Sequence, residues 1–144
     1  INKKQKEIDL AYLAGAVFSI AKIKNKRIEI LQCGNCFALW ETISGVVGIT
    51  ENQTFRHDSK ALRIIAKLMK KHHGNRNAMW REFFPILAKM KRHDINRPGG
   101  YGILNGEISA PNFFTNFFLH RKEIKILLLF SNGLINYLDS QPGE

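Results

Sequence analysis

Ile28-Glu29-Ile30-Leu31-Gln32-Cys33-Gly34-Asn35-Cys36-Phe37-Ala38-Leu39-Trp40 is the stretch from which the fold is read. Apolar and polar residues alternate from Ile28 to Cys33, the period of a strand with one buried face. Gly34-Asn35 accepts positive φ and predicts a tight hairpin into a second strand, Cys36 to Trp40. Upstream, Leu10 to Ile23 is Ala-rich and then alternates through Val17, Ser19, Ala21 and Ile23, leaving helix and strand both open. Asn25-Lys26 is turn chemistry, and Ile1 to Glu7 is a polar, frayed end. Downstream, a turn near Ser44-Gly45 leads into Val46 to Thr50. The first third therefore reads as a strand meander.

The middle changes period. Asp58-Ser59 can cap a helix with Leu62, Ile65, Ala66 and Met69 on one stripe and Gly74 as its stop. After Asn75-Arg76-Asn77, a second helical pattern runs through Trp80, Phe83, Phe84, Leu87 and Met90. Pro85 predicts a kink there, or a helix starting near it. Arg97-Pro98-Gly99-Gly100 is a loop, Tyr101 to Leu104 a short strand and Asn105-Gly106 a turn. Lys125 to Phe130 reads as a strand buried on both faces, broken by Ser131-Asn132-Gly133, and Leu134 to Leu138 starts a short helix. Strands, two helices and strands again make the class α+β.

The 144 residues suit one domain spanning 1–144, or a large piece of one, with apolar content ample for a core. The chain opens with Ile1 and stops soon after an apolar segment, so it reads as part of a longer protein. No apolar run is long enough to cross a bilayer, and no secretory signal is read, so no membrane partner is expected. Two cysteines without a signal point to a reducing compartment, and the expected location is cytoplasmic. Lys and Arg number 22 against 12 Asp and Glu, a net charge of +10 that raises affinity for phosphate backbones. Scattered lysines on solvated faces are the plainer reading of the same number.

Cys33-Gly34-Asn35-Cys36 has the C-x-x-C spacing of a zinc knuckle or redox pair. His57, His72, His73, His93 and His120 supply no H-x₃₋₅-H on a matching spacing, so buried cysteines at a turn are the expectation. His72-His73 suits a helix C-terminus. Phe113, Phe114, Phe117 and Phe118 suit a core better than base stacking. Leu13-Ala14-Gly15 hints at a homing endonuclease, but Ala16-Val17-Phe18-Ser19 offers no acidic metal ligand. No phosphate-binding P-loop and no nucleophile elbow is present.

Three patches together carry a resemblance. Ile28 to Gln32 followed by Gly34-Asn35-Cys36 resembles the strand and Gly-Asp-Ser turn of metal-dependent protein phosphatases of the 2C type. Pro98-Gly99-Gly100-Tyr101-Gly102-Ile103-Leu104-Asn105-Gly106 resembles the segment after the helical insertion of bacterial members. Lys125 to Phe130 with Ser131-Asn132-Gly133 resembles their buried strand ending in Ser-Asp-Gly. The patches keep the family's order across about Leu10 to Asp139. The resemblance implies an antiparallel β-sandwich flanked by helices (α-β-β-α), here incomplete, with carboxylates holding two Mg²⁺ or Mn²⁺ ions. A metal-bridging water would then attack phosphoserine or phosphothreonine of a phosphoprotein.

The chain departs from that pattern where the metals would sit. Asn35 takes the Gly-Asp-Ser aspartate position and Asn132 the Ser-Asp-Gly one, with Gly34 and Gly133 letting the backbone approach. An amide oxygen can ligate, but losing the negative charge costs several kcal/mol per position at an effective dielectric near ~20. The family's first acidic motif has no counterpart here, and its last would lie beyond Glu144. Asp9, Asp58, Asp94 and Asp139 do not replace them. The expectation is a pseudophosphatase with Asn35, Asn132 and Gly133 as vestigial metal positions, binding a phosphoprotein or other protein partner. The other explanation is a fragment whose missing ligands lie in flanking residues, an Mg²⁺- or Mn²⁺-dependent phosphatase in its full-length form. A small basic nucleic-acid-binding module without catalysis is the alternative. A plain protein-interaction domain is the third reading.

Overall fold

The computed structural model describes residues 14–134. Its elements are β1 (Phe18–Ile23), β2 (Arg27–Cys33), β3 (Cys36–Thr42), β4 (Val47–Ile49), α1 (Phe55–Lys71), α2 (Arg76–Asp94), β5 (Thr115–His120) and β6 (Ile124–Ser131). Two three-stranded antiparallel sheets form, ordered β1-β2-β5 and β4-β3-β6. The chain is α+β, as the alternation of periods predicts.

The expected tight hairpin at Gly34-Asn35 is a sheet switch instead. The chain does reverse there, with Gly34 at φ +74, but β2 pairs with β1 and β5 while β3 pairs with β4 and β6. The inward side chains of the two sheets meet in one core. Ile28, Ile30 and Ala38 are buried at its centre, with Ala21, Phe117, Leu119, Ile124 and Leu127 packed around them. β5 alternates half-buried and exposed residues along its length, as a strand covered on one face should. Phe117 consequently joins the core, whereas Phe118 is 64% exposed beneath Arg27, so the four phenylalanines are not one helical stripe.

β6 is not buried on both faces. It is an edge strand, and Leu128 on its outer side is 50% exposed. Tyr101 to Leu104 is no strand either: it makes isolated bridges, Ile95 to Tyr101 and Ala16 to Leu104. The residues between are fixed by the buried Asn96 side chain, which accepts from the Ile103 N–H (2.9 Å) and donates to the Ile103 carbonyl (3.0 Å). A side chain has taken the place of a ladder partner.

α1 begins three residues before the expected cap. Asn52 Oδ1 accepts from the Thr54 N–H, and the Thr54 hydroxyl lies 2.6 Å from Asp58 Oδ2, so Asp58 closes the first turn from inside the helix. Gly74 at φ +82 stops the helix, its N–H donating to the Met69 carbonyl. α2 starts at the Asn75 cap, whose side chain accepts from the Ala78 N–H, and runs unbroken through Pro85. Pro85 is exposed, so the Arg81 carbonyl that loses its donor can turn to water. The helices pack on one another through Leu68, Met79 and Phe83, a second core beside that of the sheets. The expected helix from Leu134 lies largely outside the described residues, although 132–134 already turn helically.

Candidate functional site

The switch from β2 to β3 is sterically exacting. A side chain on Gly34 would run into Val17 and approach the Gly102 carbonyl, at a backbone angle that already favours glycine. The Gly34 N–H donates to Gln53 Oε1 (2.6 Å), and Gln53 Nε2 donates to Thr115 Oγ1 (2.7 Å). One glutamine thus ties the turn to β5. Gln32 Nε2 reaches the Glu51 carbonyl (2.7 Å), and the Ala38 N–H reaches Thr50 Oγ1 (3.0 Å), so 50–53 act as a seam between the sheets.

Asn35 and Asn132 are brought together. Cys36 stands opposite Ser131 in the β3–β6 ladder, and the Asn132 N–H donates to the Asn35 carbonyl at 3.1 Å. Both residues are half-buried, and neither side chain is engaged in a hydrogen bond among the described residues. Gly133 follows in the helical turn, exposed, and a methyl group there would meet only Ser131 Oγ at 3.6 Å. Close packing explains Gly34 and does not explain Gly133.

The remaining candidates separate. Cys33 and Cys36 are free thiols at the same turn. Burial pushes Cys33 up to about 11 and raises Cys36 as well, the opposite of an activated or zinc-bound thiolate. His72 contacts Glu82 across the helix pair at 2.8 Å, and His73 takes φ +48 where α1 ends. Among the described residues, no group of three His, Cys, Asp or Glu is placed to hold a metal.

A cleft of about 560 Å³ opens beside the switch, and sequence reasoning missed it. Its walls include Gln53, Phe55, Arg56, His57, Lys60 and Asp94. His57 is buried on α1, its Nδ1 2.7 Å from Asp94 Oδ2 at the end of α2, while His93 Nδ1 reaches Asp94 Oδ1 at 2.8 Å. Burial raises the Asp94 carboxyl, but hydrogen bonds from both imidazoles outweigh it, and the net position is below the ordinary range. The Tyr101 ring packs edge-on to His57 with centroids 5.0 Å apart. Burial, with the Asp58 and Asp94 charges, pushes its hydroxyl up to about 12. Among the described residues the cleft wall thus has a His–Asp pair and no serine or cysteine; its threonine, Thr115, accepts from Gln53, and its phenol is held protonated. His57 and Asp94 lie 37 residues apart, and no local pattern joins them.

No protein-family model, no curated protein and no solved structure matches the chain. No helix among the described residues is long and apolar enough to cross a membrane.

Proposed function

We propose that the chain is a 2C-type phosphatase-like domain that has lost catalysis and serves as a binding module for a protein partner. The observation that supports this reading is the 3.1 Å hydrogen bond from the Asn132 N–H to the Asn35 carbonyl. Two turns that the resemblance assigns to one metal corner, almost a hundred residues apart in sequence, meet at the tips of neighbouring strands.

Mg²⁺ or Mn²⁺ does not fit the residues now present. Hard divalent ions are held tightly only where carboxylates supply negative charge, and the corner offers two neutral amides with no cluster of carboxylates among the described residues. Loss of activity follows from the missing charge, while the backbone that would carry it is retained.

The test is a pair of measurements on the full chain. With Mn²⁺ present, the protein should release no phosphate from p-nitrophenyl phosphate or from a phosphothreonine peptide. The double variant Asn35→Asp/Asn132→Asp should bind Mn²⁺ more than tenfold tighter by titration calorimetry, as two restored charges would give. Metal-dependent turnover by the unaltered chain would overturn the loss of catalysis. A folded double variant with unchanged Mn²⁺ affinity would overturn the shared corner.

A further inference from the structure

The outward side of α1 carries two parallel lines of side chains. Arg56, Lys60, Arg63, Lys67 and Lys70 follow one another at spacings of four, three, four and three. At 100° per residue they fall within an arc of about 80° and extend for about 21 Å along the axis. All five are exposed, and none has an ion-pair partner among the described residues. Lys71, turned toward α2, is paired with Glu82 at 2.7 Å, so cations on this helix pair where a neighbour offers an acid. Asp58, the only acid of α1, lies on the far side of the wheel from the cationic line.

Beside that line, two turns apart, stand Phe55 and Leu62, each 65% exposed. Between the two lines the wheel places only Ser59 and Ala66, so small side chains alone separate the cations from the apolar pair. Phe55, Arg56 and Lys60 at its N-terminal end also line the cleft. A phosphodiester backbone complements the cations and leaves Leu62 without a role. A segment with acids on one side and apolar residues on the other complements both lines.

We propose that this face of α1 docks an acidic amphipathic segment of a partner protein. The proposal goes beyond the phosphatase-like reading and does not depend on it, because the asparagine corner lies on the sheets and not on α1.

The probe is a fluorescein-labelled 20-residue peptide of Glu and Leu at helical amphipathic spacing, titrated with the full chain. A labelled DNA of 20 nucleotides, single-stranded and duplex, runs in parallel, and fluorescence anisotropy reads both. Glutamine keeps the helix propensity of lysine, so Arg63→Gln/Lys67→Gln/Lys70→Gln removes charge without weakening α1. This variant should lose peptide affinity about tenfold, as three partly exposed ion pairs would give. Leu62→Ser should lose a few-fold in peptide affinity and leave any DNA affinity unchanged. Lys22→Gln/Lys26→Gln/Lys122→Gln, an equal charge change at the end of β1, the β1–β2 turn and the neighbouring Arg121–Glu123 turn, should alter peptide binding less than twofold. No peptide binding, or equal losses in the two triple variants, overturns the proposal. Tighter DNA binding that falls steeply with salt and requires the α1 cations also overturns it, in favour of a nucleic-acid face.

Discussion

Gly34 is where one side chain's absence governs the path of the chain. Its φ of +74 disfavours any Cβ, and the space a Cβ would enter is filled by Val17 and the Gly102 carbonyl. Gly34→Ala should destabilise the fold by roughly 2–4 kcal/mol, the sum of left-handed backbone strain and overpacking, measurable in a urea titration. Asp94 sets a pH dependence. Its carboxyl lies below the ordinary range when folded, so in acid the unfolded chain takes up the proton first. The stabilisation is complete above the unfolded value of about 3.9 and is lost as pH falls through the folded value. Asp94→Asn should cost about 1–3 kcal/mol at pH 6 and lose less than the unaltered protein between pH 5 and pH 3 in the same assay. The chain breaks at Asn35 and Asn132 could be read from sequence because each asparagine stands beside a glycine at a strand end. Gln53 could not: it reaches Gly34 and Thr115 only after the sheets have formed, and nothing around it in the chain announces either partner.

At the scale of elements, local pattern was informative where the contacts themselves are local. Both helices were visible from their period and the Gly74 stop, but the expected stripes were partly misplaced. Leu62, Ala66, Trp80 and Phe84 are exposed, while Leu68 and Met79, outside those stripes, join Phe83 in the contact. The first turn of α1 was not, since its cap is assembled from Asn52, Thr54 and Asp58 and not from a single residue. Pro85 does not start the helix, for a related reason. Its cost is set by the environment of the Arg81 carbonyl, and both Arg81 and Pro85 are exposed residues, so water can take the missing donor's place. Pro85→Ala should therefore raise the melting temperature, with a gain of about 1–2 kcal/mol by calorimetry and no change in helix boundaries. An alternating segment reveals a strand and its two faces but carries no label for its neighbour. That is why β2 and β3 looked like hairpin partners and are instead the central strands of separate sheets.

At the scale of the molecule, the outer face of β4-β3-β6 is apolar around one carboxylate, Glu41, which stands between Val47 and Ile126 and pairs with Lys125. Leu39 lies opposite Ile49 on one side and Leu128 on the other, with Val47 and Ile126 one step along the same face. Val47 is 63% exposed and Ile49 50%. The native protein should bind the dye anilinonaphthalene sulfonate, and Val47→Thr/Leu128→Thr should at least halve that fluorescence while shifting stability by less than about 1 kcal/mol. The run of leucines in β6 suggested burial on both sides from composition alone, and the sheet order makes it an edge instead.

The crossing at Gly34-Asn35 and its counterpart through Arg121–Glu123 interleave the two ends of the chain, so each central strand has one neighbour from nearby and one from the last third. During synthesis on the ribosome, β2 and β3 emerge before their last partners, each with one edge bare, and the first sheet cannot be completed until His120, nor the second until Ser131, has left the exit tunnel. The α1–α2 pair, whose core is local, can assemble in that interval and hold the chain compact while the nascent sheets wait for their final strands.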